Sequence, residues 1–202
     1  IRRPPRSTPS NSSAASDVYK RQVHIGHLLL AQQSVEQAGI KKLFFVPSGC
    51  PPHRPGTLTP SEHRLAMLNL ATRGNQTFDI FDFEIKKKEV TYTYQTVERL
   101  KELYPGSEIC FVLGADSVLE IKTWMKWREL LSELWILVGQ RPGFSLEHLE
   151  ETVRNRAVIL NNPIVDISAS EIRKRIREGK TVKYMLPEPV ERYIAGHNLY
   201  RG

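Results

Sequence analysis

The feature that most restricts the fold of this chain is an alternation of short apolar runs with amphipathic segments of roughly ten residues, the pattern of βαβ units. Lys42–Val46 (KLFFV) reads as a buried strand ending at Pro47, and Glu108–Leu113 (EICFVL) as another that breaks at Gly114. Trp135–Val138 and Ala157–Leu160 repeat the pattern, and Phe78–Ile85 alternates as a strand does, with Lys86–Glu89 as its solvated exit. Between them, Leu28, Leu29, Leu30, Ala31, Val35 and Ala38 line one helical face that Gly39 closes. Thr59-Pro60-Ser61-Glu62 opens a second helix, with Thr59 as N-cap, Pro60 in the first turn and Glu62 completing a capping box. Thr93–Leu103, Trp127–Leu134, a segment capped by Ser145, Ser168–Glu178 and Glu188–Ala195 supply further helices, and Pro105-Gly106 is a turn. The expected fold is an α/β domain, a parallel sheet built of βαβ units, spanning residues 23–202 with no internal repeat or linker.

Residues 1–22 do not share this texture. They are rich in Pro, Ser and Arg without periodicity, and are expected to be disordered. A doubly wound sheet begins on a central strand, yet Ser16–Val23 offers only Val18, Tyr19 and Val23 for packing. The expectation is a tail foreign to the domain, standing where its first central strand belongs. The tail also accounts for much of the charge. The chain carries +7, of which Arg2, Arg3, Arg6, Lys20 and Arg21 against Asp17 supply +4, leaving +3 for the other 180 residues. That balance suits phosphorylated metabolites better than nucleic acid. No apolar run approaches the length of about eighteen residues that a membrane span needs. Neither a secretory signal nor an amphipathic presequence fits the N-terminus. Cys50 in a loop and Cys110 in an apolar strand suggest no disulfide framework, so the cytoplasm is expected.

Four segments carry chemistry. His24-Ile25-Gly26-His27 stands at a helix start, where unpaired N–H groups and the positive dipole end favour phosphate. Gly26 would allow close approach of a ligand to the backbone, and the histidines could donate hydrogen bonds to a phosphate gaining charge. Taken alone, these four residues are more often an ordinary helix start with one packed and one solvent-facing histidine, whereas zinc would need more ligands than are evident. In Ile167–Arg173 (ISASEIR), Ser168 and Glu171 form a capping box, Ser170 adds a hydroxyl and Arg173 could clamp a polyphosphate. The bland alternative is a well-capped surface helix. Gly114-Ala115-Asp116 follows a buried strand, either as a simple turn or as part of a ligand crevice. Trp124 and Trp127 flank a helix start, where one could stack on a heterocycle or both could be core.

In chain order, HxGH, the PPHR loop, EHRLAML, TYTYQT, GADS, TW, QRPG and ISASEIR resemble bacterial nicotinate mononucleotide adenylyltransferases, from Val23 to about Tyr200. The resemblance implies an HxGH nucleotidyltransferase, a Rossmann-like single domain with helices on both faces of its parallel sheet. Such an enzyme joins nicotinate mononucleotide to ATP, with Mg²⁺ present, giving deamido-NAD and pyrophosphate. His24 and His27 would be catalytic, contacting the ATP phosphates. Gly26, Gly114, Asp116, Ser168, Ser170 and Arg173 would bind ATP. Thr91, Tyr92, Thr93 and Trp124 would form the pyridine pocket, and Arg141, His53 and Arg54 would neighbour its phosphate. Ala169 stands where the family has a serine, and Arg54 where it more often has lysine. Family members also open with a strand and a GGTFDPxH segment that this chain does not match. The implied partners are ATP and nicotinate mononucleotide, with no nucleic acid or membrane and with a homo-oligomer left open.

Three rivals are weighed. Class I aminoacyl-tRNA synthetases share HIGH but need a KMSKS-like loop and an anticodon-binding region. Pantetheine-phosphate and glycerol-phosphate nucleotidyltransferases are shorter and lack a good match to TYTYQT and TW. A nucleotide-binding remnant without turnover is the non-enzyme alternative.

Overall fold

The structure is a computed structural model that describes residues 22–49, 59–87, 89–147 and 149–201, and the backbone of 12–16. Six parallel strands form one sheet: β1 (Ser12–Ser16), β2 (Lys42–Phe45), β3 (Phe78–Ile80), β4 (Glu108–Gly114), β5 (Trp135–Gly139) and β6 (Ala157–Leu160). Their spatial order is β3-β2-β1-β4-β5-β6. The chain winds outward in one direction from β1 to β3, then crosses back to β4 and winds the other way. In such sheets the ligand crevice opens at the strand C-termini where the winding reverses, here between β1 and β4.

Side-chain alternation divides the core between the two faces. Leu43, Phe45, Cys110, Val112 and Leu137 point to one side, against α1 (Ile25–Ala38), α2 (Ser61–Thr72), α8 (Ala169–Arg177) and α9 (Glu188–Gly196). Phe44, Ile109, Phe111, Leu113, Ile136 and Val138 face the other, against α4 (Thr93–Leu103), α6 (Trp127–Glu133) and α7 (Glu151–Arg154). Both faces are thus covered, which is why the strands read as continuous apolar runs. α1 lies unusually close to the sheet at Gly139, where a Cβ would stand 2.5 Å from Leu30 Cδ1.

Several expectations are corrected. Ser12–Ser16 is a strand, and the central one, paired to β2 over Ser13–Ser16 and to β4 over Ser12–Ser16. The disorder expected of residues 1–22, and the missing first strand, therefore do not hold for this segment. The physical reason is that β2 and β4 each present a ladder edge, and backbone pairing needs no apolar side chains. Phe78–Ile85 is not one strand: β3 stops at Ile80 and α3 (Phe83–Lys87) follows. Lys86 N–H donates to Asp82 O at 3.0 Å, the side chains of the same two residues pair at 2.9 Å, and Thr96 Oγ1 donates to the buried Glu84 carboxylate. The cap of α2 is Pro60, not Thr59, because the Pro60 carbonyl accepts the first bond of the helix, from Arg64 N–H at 3.2 Å. Ser145 caps only a turn, accepting from Glu147 N–H at 3.3 Å, and α7 begins later, after Glu150.

Candidate active site

His24 is the N-cap of α1, with extended backbone (φ −145°, ψ 171°), and stands at the winding reversal. Its ring stacks on that of His27, centroids 3.5 Å apart and planes inclined by 20°. His24 N–H donates to His27 Nδ1 at 3.2 Å. A neutral His27 accepting at Nδ1 carries its proton on Nε2. The reciprocal contact, His24 side chain toward the backbone of His27, falls short of a hydrogen bond, and His24 Nδ1 is buried without one among the described residues. Gly26 also bears on the His24 ring. A Cβ there would stand 3.1 Å from His24 Nδ1, so the glycine makes room for the His24 ring over the helix start. Ile25 N–H donates to Met185 O at 3.0 Å, tying this helix start to the segment before α9.

Burial, and then the Arg141 guanidinium, push the His24 imidazole down to about 4. His27 is driven well below the ordinary histidine value, by burial first, then by His24 and Arg141. Both rings are therefore uncharged at neutral pH. Arg141 lies beyond the end of β5, and its Nη1 pairs with Asp116 Oδ2 at 2.6 Å. Asp116 sits in the first turn of α5 (Ala115–Leu119), just after β4. At Gly114 a Cβ would come within 2.6 Å of Asp116 Oδ1, so the glycine lets this carboxylate fold back over the strand end. The fold thus gathers His24, His27, Gly114, Asp116 and Arg141 at one place. Arg141, grouped by resemblance with the pyridine pocket, stands with the histidines.

A second group lies at the start of α8. Ser168 Oγ accepts from Glu171 N–H at 3.1 Å, the expected cap, and Arg173 Nη2 donates to Ser170 Oγ at 3.2 Å. Burial raises the Tyr200 phenol above its usual range, against the pull of Thr59 and of the Arg173 and Arg64 guanidinium groups.

The third group joins the TYT and TW segments. Thr93 and Trp124 line one small apolar void with Phe111 and Leu130, and the Trp124 ring meets Phe111 edge-on at 6.0 Å and 83°. Thr91 is buried and donates to Glu89 O at 3.3 Å; Tyr92 is the N-cap of α4, its N–H held by Gln95 Oε1 at 3.1 Å. His53 and Arg54 lie outside the described residues, as does Cys50.

Two residues beyond the expected set emerge. Arg64, of the EHRLAML segment, is buried, and donates to Ser48 O, to Gly49 O at 3.4 Å and to Thr59 O at 3.0 Å. It ties together the chain on either side of residues 50–58. A charged residue within the apolar face of Leu65, Met67 and Leu68 was the available sign. Lys126 is the other, with its Nζ 4.1 Å from the Tyr94 ring centroid.

Among the described residues no three His, Cys, Asp or Glu side chains gather as a metal cage, and no helix is long and apolar enough to cross a membrane. The family model for cytidylyltransferase-like proteins matches residues 22–175. A "Probable nicotinate-nucleotide adenylyltransferase" of Desulfitobacterium hafniense is 39% identical over 187 residues, covering 89% of this chain and 90% of its own. One of the same name from Carboxydothermus hydrogenoformans is 37% identical over 186 residues, covering 89% and 92%. Among solved structures, the Plasmodium falciparum nicotinic acid mononucleotide adenylyltransferase complexed with NaAD superposes with a TM-score of 0.81, covering 95% of this chain and 98% of that one at 21% identity, a likeness of fold. On the sequence matches and the geometry together, the chain belongs to the cytidylyltransferase-like family and, within it, to the nicotinate-nucleotide adenylyltransferases.

Proposed function

We propose that this protein transfers the adenylyl group of ATP to the phosphate of nicotinate mononucleotide, releasing pyrophosphate and forming deamido-NAD. The observation that carries the reading is the stacked His24–His27 pair at a helix start, beside the Arg141–Asp116 pair, at the winding reversal of the sheet. The attacking phosphate is anionic at neutral pH, so the reaction needs no general base. It needs alignment for in-line displacement at the α-phosphorus, and neutralisation of charge on the departing pyrophosphate. The uncharged imidazoles can donate N–H groups, and Arg141 supplies a fixed positive charge nearby. Ser168, Ser170 and Arg173 would hold the triphosphate tail, and Gly114 and Asp116 the nucleotide. Thr91, Tyr92, Thr93 and Trp124 would enclose the pyridine ring, with Arg141, His53 and Arg54 serving its phosphate.

Mg²⁺ enters on the triphosphate as part of the substrate. Asp116, the carboxylate described beside the histidines, is already paired with Arg141, which fits a metal carried by the triphosphate. The reading places the enzyme in the cytoplasm, acting on small molecules rather than on nucleic acid or a membrane. Pyrophosphate release measured with nicotinate mononucleotide, nicotinamide mononucleotide, phosphopantetheine and glycerol phosphate tests it. Turnover confined to the pyridine mononucleotides is the expected result. Turnover with another acceptor, or binding without turnover, would overturn it.

A further inference from the structure

Resting on that reading, we propose that Lys126 selects the acid form of the mononucleotide over the amide, by placing its ammonium against the carboxylate on the pyridine ring. Trp124 and Lys126 belong to one short connection, between the 3-10 turn Ile121–Thr123 and α6. Lys126 is the residue immediately before α6, and it holds a left-handed backbone, φ 56° and ψ 34°. An L-residue with a long side chain adopts that conformation only where its surroundings hold it. Its side chain reaches across to α4, where Nζ stands 4.1 Å from the centre of the Tyr94 ring. Tyr94 follows Thr93, and Thr93 lines the same void as Trp124. Lys126 thus bridges the two segments proposed to enclose the ring, and brings a positive charge to their junction.

That charge has no carboxylate partner in any ion pair among the described residues. Lysines on the adjoining elements are paired: Lys101 with Glu133, and Lys122 with Glu150. The face of an aromatic ring is a weaker site for an exposed ammonium than a carboxylate at hydrogen-bonding distance. A ligand carrying a carboxylate can therefore draw Lys126 from Tyr94. A ligand with a neutral amide offers no charge to exchange for the cation–π contact. The discrimination comes from one charged contact made by one of two ligands of nearly the same shape.

The test compares kcat/KM for nicotinate and nicotinamide mononucleotide in the wild-type protein, Lys126→Met and Lys126→Arg, with a parallel titration of intrinsic tryptophan fluorescence by each mononucleotide. Lys126→Met is expected to lower kcat/KM for the acid by about 10- to 100-fold through KM, as loss of one charge-assisted contact would, and to leave the amide within about twofold. Lys126→Arg should keep most of the preference. An unchanged acid-to-amide ratio overturns the proposal, and so does an equal fall for both, which would mark Lys126 as merely structural. If the wild-type protein turns over neither mononucleotide, the adenylyltransferase reading fails. The ratio of fluorescence-derived affinities in wild type and Lys126→Met then still decides the role of Lys126.

Discussion

The low basicity of His24 has a consequence that can be measured without any substrate. In the unfolded chain this histidine titrates near its ordinary value of 6.5; in the folded protein burial and Arg141 hold it at about 4. Between those values the unfolded state binds a proton that the folded state refuses. The contribution to stability is therefore complete above about pH 6.5 and is lost as the pH falls, levelling off below about pH 4. Two and a half units at 1.36 kcal/mol each set a ceiling of about 3.4 kcal/mol; the loss reaches about 2 kcal/mol by pH 5 and about 3 kcal/mol by pH 4. His27 shifts in the same direction and steepens the same slope. The perturbation is His24→Gln, which keeps a polar side chain and removes the titration. Urea denaturation at half-unit steps from pH 7.5 to 5, on wild type and variant together, isolates the histidine from the carboxylates common to both. The two stability curves should converge by about 2 kcal/mol toward pH 5. Curves that stay parallel would refute the argument that burial keeps this imidazole neutral.

The remaining predictions concern the site and its scaffold. If the imidazoles are neutral at rest, binding of a polyphosphate should raise their basicity, so the ATP-binding enthalpy near pH 6 should vary with buffer ionisation enthalpy; a buffer-independent enthalpy contradicts this. Arg141→Met removes the guanidinium beside the histidines and should cut kcat/KM by about 10- to 1000-fold while raising the His24 titration point, read by NMR. Gly139→Ala forces a Cβ toward Leu30 Cδ1 and should destabilise the fold by about 1–3 kcal/mol, a loss that Leu30→Ala in the same chain should partly reverse in thermal or urea melts. Replacing residues 12–22 by an apolar strand followed by a GGTFDP segment should raise both stability and turnover; equal values for the two chains would refute the view that the present N-terminal residues are foreign to the domain.

What could be read from the residues, and what could not, follows from the kind of interaction involved. β2, β4, β5 and β6 were legible because both sheet faces are covered, so each strand is an apolar run. β1 was not, because SSAAS has almost no apolar area and weak strand preference; its place is set by the ladder edges of β2 and β4, which no local pattern records. α3 was hidden because Phe81, Phe83 and Ile85 mimic strand alternation, while the Lys86–Asp82 pair across its turn and the Glu84–Thr96 bond to α4 involve polar side chains. The order of the motifs along the chain was enough to identify the family. It could not show that Gly26 serves the His24 ring, that Arg141 stands with the histidines, or that Arg64 joins Ser48 and Gly49 to Thr59, since each depends on contacts made only in the folded chain.

One electrostatic pattern runs through both halves of the proposed site. At the histidine end, the guanidinium of Arg141 is balanced by Asp116, and the two imidazoles carry no charge. At the pyridine end, the ammonium of Lys126 rests on an aromatic ring. At both of these places the positive charge at rest is compensated or weakly held. A surface that tracks a polyanion needs its cations outward and permanent. A transferase that must release pyrophosphate needs the opposite, because a strong standing field would bind the product as tightly as the transition state. On the proposed reading, neutral rings donate N–H groups to the departing phosphate, and those hydrogen bonds strengthen as its charge grows. The rings add no standing charge of their own, so the low basicity of His24 and His27 would leave pyrophosphate free to depart once the transfer is complete.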